Sequence, residues 1–166
     1  YNDTPATFDR CTLDEALATG IVDVLRNPHH PLFDSATQVI EAGIVPAYPD
    51  CDILRVQIAD LPPGAAIARH RDDSILAAIH RLHVPLVTNA GVVFEIDDAP
   101  YTLDEGMVYE LNNVVPHAVR NDGTERRIHL LVDMLPHAVG RCAYHDDRRA
   151  MAVAVIRTRM ARAPRS

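Results

Sequence analysis

The sequence predicts a mainly β protein, a jelly roll flanked by helical segments at both ends. Three observations predict it. From Cys51 onward, short apolar segments alternate with turn signals at roughly ten-residue intervals, the rhythm of a sandwich or barrel. The segments number eight, as in a double Greek-key jelly roll. On either side of them, apolar residues recur at helical rather than strand spacing.

Residues 9–45 read as a helical N-terminal segment. Thr12 followed by Glu15 makes a capping box, and Leu13, Leu17, Val24 and Leu25 then form an apolar stripe. The stretch Asn27 to Pro31 holds two prolines and breaks any helix there. A short helical piece over Ser35–Ala42 should end at Gly43, and Pro46 and Pro49 mark a loop.

The jelly-roll core is read over about residues 52–135. Its strands are Ile53–Ala59, Ala66–Asp72, Arg81–Val87, Val92–Ile96, Tyr101–Leu103, Met107–Leu111, His117–Asn121 and Arg127–Asp133. Leu61-Pro62-Pro63-Gly64 turns the chain after the first. Pro85 inside the third marks an edge strand or a bulge, because proline donates nothing to a ladder. Asn121-Asp122-Gly123 signals a reversal between the last two. Asp146 caps a C-terminal helix over about 147–162, with Met151 and Val155 facing the barrel. The chain, 1–166, is read as a single domain.

Composition narrows the function classes. At 48% apolar residues the chain can build a core and is not a disordered segment. No apolar run approaches the ~18 residues of a membrane span, and residues 1–10 lack the pattern of a signal peptide. Cys11, Cys51 and Cys142 are an odd number and widely spaced, which fits free thiols in a reducing cytoplasm. Residues 1–140 carry nine Arg against twenty-one Asp and Glu, a charge of −12, whereas 141–166 carry seven Arg against two Asp, or +5. The acidic body argues against a nucleic-acid partner; the basic tail reads as a solvated helix face. All sixteen basic residues are Arg, which excludes Schiff-base and P-loop lysine chemistry.

The chemistry-bearing pattern begins at His70-Arg71-Asp72. Strand residues two apart share a face, so His70 and Asp72 can reach one point while Arg71 and Asp73 turn away. Two His and one carboxylate on adjacent corners of an octahedral ion form the non-heme iron(II) oxygenase set. His117, which opens a late strand directly after Pro116, is the candidate third ligand. By itself such a pair also describes a surface His beside a solvated Asp. Arg127 adds a second element. A planar, permanently charged fork matches a carboxylate with two hydrogen bonds. In the apolar run Arg127-Ile-His-Leu-Leu-Val132 it is costly without an anionic partner. The bland alternative is an exposed Arg opening an edge strand, and neighbouring Arg126 reads that way. His29 and His30 read as exposed in a proline loop, and His80, His137 and His145 as flanking strands or turns. His129 shares a face with Arg127.

The run from Ile53 to Asp133 resembles the aspartyl/asparaginyl beta-hydroxylase family, including small bacterial members such as the L-proline cis-4-hydroxylases. The matching residues are Leu61-Pro-Pro-Gly64, His70-Arg-Asp72, Arg81-Leu-His-Val-Pro-Leu-Val-Thr-Asn89, Gly106-Met-Val-Tyr-Glu-Leu-Asn-Asn113, Pro116-His117, Asn121-Asp122 and Arg126-Arg-Ile-His-Leu-Leu-Val-Asp133. The resemblance implies a double-stranded β-helix (jelly roll, cupin-like) and Fe(II)- and 2-oxoglutarate-dependent hydroxylation with O2, releasing succinate and CO2. It implies His70, Asp72 and His117 as metal ligands and Arg127 as the co-substrate arginine. Arg81 and His83 match positions lining the 2-oxoglutarate or substrate pocket; for His83 a role as a core histidine is an equal alternative. Vertebrate members lack the acidic ligand that Asp72 supplies here, and they carry a membrane anchor and a large N-terminal region that this chain does not show. The presence of Asp72 favours hydroxylation over halogenation. The implied substrate is an amino acid, free or within a peptide. Two rivals stand beside this reading: a metal-dependent cupin-type isomerase and a non-catalytic small-molecule-binding jelly roll. Neither requires Arg127.

Overall fold

A computed structural model of the chain describes residues 29–138. The capping box at Thr12, its apolar stripe, the C-terminal helix at 147–162 and two of the cysteines lie outside those residues. Among the described residues one α-helix, α1 (Phe33–Val39), precedes eight strands: β1 (Cys51–Leu61), β2 (Ala66–His70), β3 (His80–Val87), β4 (Val92–Ile96), β5 (Ala99–Tyr101), β6 (Tyr109–Leu111), β7 (His117–Asn121) and β8 (Arg127–Pro136). They form two four-stranded antiparallel sheets with the orders β1-β8-β3-β6 and β2-β7-β4-β5. The first four strands pair with the last four in reverse: β1 with β8, β2 with β7, β3 with β6, β4 with β5. The core is thus one long antiparallel ribbon whose successive pairs fall alternately in the two sheets. Coiling sets β3 beside β8 and β4 beside β7. This is the double-stranded β-helix, and it leaves a space between the sheets.

Several local expectations change. The helix does not stop at Gly43: α1 passes into a π-helical turn over Ile40–Ile44 and then a 3-10 turn over Val45–Ala47. Strand β3 is an inner strand between β8 and β6, so Pro85 does not mark an edge. The ladder instead shifts register between Pro85 and Val87, which is the bulge a missing N–H calls for. Asn121-Asp122-Gly123 reverses the chain but makes no hairpin, because β7 and β8 lie in different sheets. The turn carries the ribbon across.

Alternation along β8 sorts its residues into two faces. Ile128, Leu130, Val132 and Met134 are buried in one cluster with Val56, Ile58, Leu82 and Val84 of β1 and β3 and with Leu32, Phe33, Ala36, Val39, Ile40 and Ile44 of the helical segment. The main apolar core therefore lies on the outer face of this sheet, under the helix. The opposite face, carrying Arg127, His129, Leu131 and Asp133, is turned to the second sheet, whose own cluster is Leu61, Val92, Phe94, Leu103 and Val119.

Two loops lock one end of the sandwich. Asn89 Nδ2 donates to Asn121 Oδ1 at 3.2 Å and to the Glu125 carbonyl at 3.0 Å, and Asn121 Nδ2 donates to the Leu61 carbonyl at 2.9 Å. Gly91 packs against this crossing so closely that a Cβ would strike the backbone of Gly123. Gly91→Ala should cost about 1–3 kcal/mol or more, since backbone cannot swing aside. A urea midpoint equal to wild type would show that the loops separate freely.

Candidate active site

Strand pairing builds the first part of the site. His70 ends β2, His117 opens β7, and the two are direct cross-strand partners, their rings 4.3 Å apart. Pro116 leads into β7, and its carbonyl accepts from Asp97 N–H at 2.9 Å, which ties the β4–β5 turn to His117. Strand β2 ends at His70, so Asp72 lies beyond it and strand alternation does not aim its carboxylate. Its backbone N–H donates instead to the Asn113 carbonyl at 2.9 Å. The outcome is the expected convergence: one ligating atom each from His70, Asp72 and His117 lies within 4.8 Å of the other two. Two metal–ligand bonds end to end span ~4.2 Å, so small side-chain adjustments suffice to share an ion. Asp73 and Arg71 are exposed and take no part.

Hydrogen bonds set the imidazoles. Nδ1 of His70 faces the Ala68 carbonyl at 2.8 Å and Nδ1 of His117 faces the Val115 carbonyl at 3.0 Å. A carbonyl only accepts, so each neutral ring carries its proton on Nδ1 and keeps the Nε2 lone pair free. Two such nitrogens and a carboxylate oxygen are a donor set that fits a divalent transition metal.

The second part comes from the other sheet. Arg127 is 2% exposed, at the start of an inner strand rather than an edge one. Its Nη2 meets His129 Nδ1 at 3.2 Å, its guanidinium lies 5.2 Å from the Phe94 ring centroid, and its Nε has no hydrogen-bond partner among the described residues. Burial lowers its pKa to about 10, with Asp60 opposing the fall. Arg126, one residue away, is exposed and paired with Asp60, as its sequence position suggests. Arg127 lines a cavity of about 120 Å³ together with His70, His117, Arg81, His83 and Phe94. His70 and His117 of one sheet and Arg81, His83 and Arg127 of the other thus line one cavity.

Arg81 lines that cavity but spends its N–H groups on acids: Nη1 reaches Asp72 Oδ2 at 2.9 Å and Nε reaches Asp133 Oδ1 at 2.9 Å. His83 is buried, with Nδ1 3.3 Å from Nδ1 of His129. His30, expected in the open, is also buried, and its Nδ1 accepts from Leu32 N–H at 3.1 Å. His80 meets Glu110 at 2.6 Å and His137 meets Asp52 at 3.0 Å. Cys51 is a free, partly buried thiol whose pKa burial raises. Sequence reasoning missed Asp133, Asn113 and Phe94. The signal for Asp133 was present, since residues 127, 129, 131 and 133 share one strand face. Among the described residues no helix is long and apolar enough to cross a membrane.

Burial, then the charge of Arg127 and the proximity of His83, holds His129 well below its ordinary pKa; burial with Arg127, Arg81 and His117 does the same to His83. Both are neutral when folded. The unfolded chain takes up their protons near pH ~6.5, so stability rises with pH through that range and falls as the solution is acidified, by up to ~1.4 kcal/mol per pH unit for each histidine. His129→Gln should remove about one proton's worth of that slope between pH 6 and 5. Urea titrations in chelator check this; a wild-type slope in the variant would mean that folded His129 titrates normally.

A model of the aspartyl/asparaginyl beta-hydroxylase family matches residues 25–136. No curated protein matches the sequence. Similar solved structures include a predicted oxalate decarboxylase from Thermotoga maritima, 19% identical, with 58% of this chain and 73% of that one covered and a TM-score of 0.41. A cupin domain from Bordetella pertussis is 20% identical, with 50% and 82% covered and a TM-score of 0.41. A conserved protein of unknown function from Streptococcus pyogenes is 24% identical, with a TM-score of 0.39; this chain, 51% covered, spans 66% of its length. The family match takes in all eight strands and every side chain of the cavity, and on it the chain belongs to the aspartyl/asparaginyl beta-hydroxylase family.

Proposed function

We propose that this hydroxylase-family chain uses Fe(II) and 2-oxoglutarate to hydroxylate an amino acid or a peptidyl side chain of Asp, Asn or Pro type. The observation that carries the reading is Arg127: a charged guanidinium, 2% exposed, whose Nε has no partner among the described residues, in the same cavity as two imidazoles presenting free lone pairs. An uncompensated buried charge is expensive. A carboxylate entering the cavity would supply the missing acceptor.

In this reading His70 Nε2, His117 Nε2 and Asp72 would hold the iron, and Arg127 would hold the C5 carboxylate of 2-oxoglutarate. Together, bound iron and 2-oxoglutarate supply O2 activation, coupled to decarboxylation to succinate and CO2 with delivery of a hydroxyl group. The chain contributes orientation and shielding. Phe94, its ring centroid 5.2 Å from the Arg127 guanidinium, lends an apolar surface to the arginine end of the cavity. Neutral His83 and His129 add no positive charge beside Arg127, so its fork is free for one anion. His70 stands at the open side, on a strand exposed along its whole length, where a substrate would approach.

Removing one member of a buried charged pair costs about 2–5 kcal/mol, and each 1.4 kcal/mol is tenfold. Arg127→Ala should therefore raise the 2-oxoglutarate requirement on the order of tens to thousands of fold. Arg126→Ala should leave it unchanged. The assay follows succinate release and gain of one oxygen across a panel of free amino acids and short peptides. Equal effects of the two substitutions would remove the co-substrate assignment and favour a cupin-type isomerase. Asp72→Ala should abolish hydroxylation while exposed Asp73→Ala leaves most of it; equal losses would show that Asp72 is not a ligand.

A further inference from the structure

Asp72 is gripped by one oxygen. Its Oδ2 accepts from Arg81 Nη1 at 2.9 Å and from Asn113 Nδ2 at 3.3 Å. Its Oδ1 is the atom on the histidine side, 3.7 Å from His70 Nε2. Two donors behind one oxygen turn the other toward the imidazoles. Arg81 does not hold this pose by itself, because a long side chain has many rotamers. Asp133 fixes it: Arg81 Nε and Nη2 donate to its two oxygens at 2.9 and 3.2 Å. The guanidinium is planar, so once that edge is engaged the direction of Nη1 is set. Asp133 is held in turn from its other side, by Arg55 Nε and Nη2 at 2.8 and 2.5 Å. Strand register puts the three in one row, with Asp133 the direct partner of Arg55 on β1 and of Arg81 on β3.

We propose that Asp133 is a positioning residue for the metal: acting through Arg81, it fixes Asp72 so that Oδ1 alone faces the ion and Asp72 binds as a one-oxygen ligand. The proposal rests on the reading of His70, Asp72 and His117 as metal ligands. Without Asp133, the freed edge of Arg81 can turn onto Asp72 and take both of its oxygens in a fork, which competes with the metal for the same lone pairs. A merely structural Asp133 makes a different forecast, namely lower stability with unchanged metal affinity of the folded protein.

Co(II) separates the two, because its visible absorption reports the ligand set. The full chain is titrated with Co(II) as wild type, Asp133→Asn, Asp133→Glu, Arg81→Lys and His117→Ala, with folding checked by urea melts. Loss of an outer partner of a metal ligand typically weakens the metal roughly 10- to 100-fold. That loss, with altered bands, is expected for Asp133→Asn and for Arg81→Lys, which keeps the charge but cannot span both acids. Asp133→Glu should recover part of it. Wild-type affinity and bands in folded Asp133→Asn would overturn the proposal; if that variant does not fold, wild-type behaviour in Arg81→Lys does so. If the wild type takes up no Co(II), or His117→Ala binds it equally well, the metal reading itself fails and this proposal falls with it.

Discussion

Everything in this fold hangs on the register of β8 between β1 and β3. A shift of one residue would turn every side chain of an inner strand to the opposite face. Here that would drive Arg127, His129 and Asp133 into the apolar core under α1 and put Ile128, Leu130 and Val132 into the cavity. The row Arg55–Asp133–Arg81 holds the native register, because Asp133 is flanked by both cations only when these three residues are opposite one another. Buried ion pairs are weak contributors to net stability, yet breaking one is costly, which makes them good selectors of alignment.

The same register explains an inversion of the usual sandwich. Antiparallel sheets commonly bury an apolar face and expose a polar one. In this chain the more polar face of β8 is turned inward, against the second sheet, and the more apolar face is covered by the helical segment. The cost appears as depressed histidines and an arginine whose Nε has no partner among the described residues. Burial without partners costs free energy. Such groups collect where a ligand is to be met, and the apolar contacts beneath α1 offset them from the far side.

The coiled ribbon brings the site together. His70 and His117 come from one sheet; Arg81, His83 and Arg127 come from the other. Because the ribbon's pairs fall alternately in the two sheets, residues nearly sixty positions apart face each other across one narrow space. The Asn-Asp-Gly turn serves this geometry. It separates His117 from Arg127 by ten residues and carries them into opposite walls.

The local features were legible in the order of the residues. Strand periodicity and turn residues yield eight strands near their observed bounds, and residue chemistry singles out His70, Asp72, His117 and Arg127. Arg127 was legible because a charge in an apolar run is anomalous on its face. The non-local features came with the folded arrangement. Period-two alternation defines two faces but does not say which of them meets a helix and which a second sheet. So the sequence could not tell that Asp133 is buried between two arginines or that His30 is buried. It could not tell that Pro85 bulges an inner strand rather than marking an edge, or that Asp72 is aimed by Arg81 and Asn113 rather than by strand alternation. Each depends on pairing between segments distant in the chain, and pairing energy is written in the partner as much as in the residue itself.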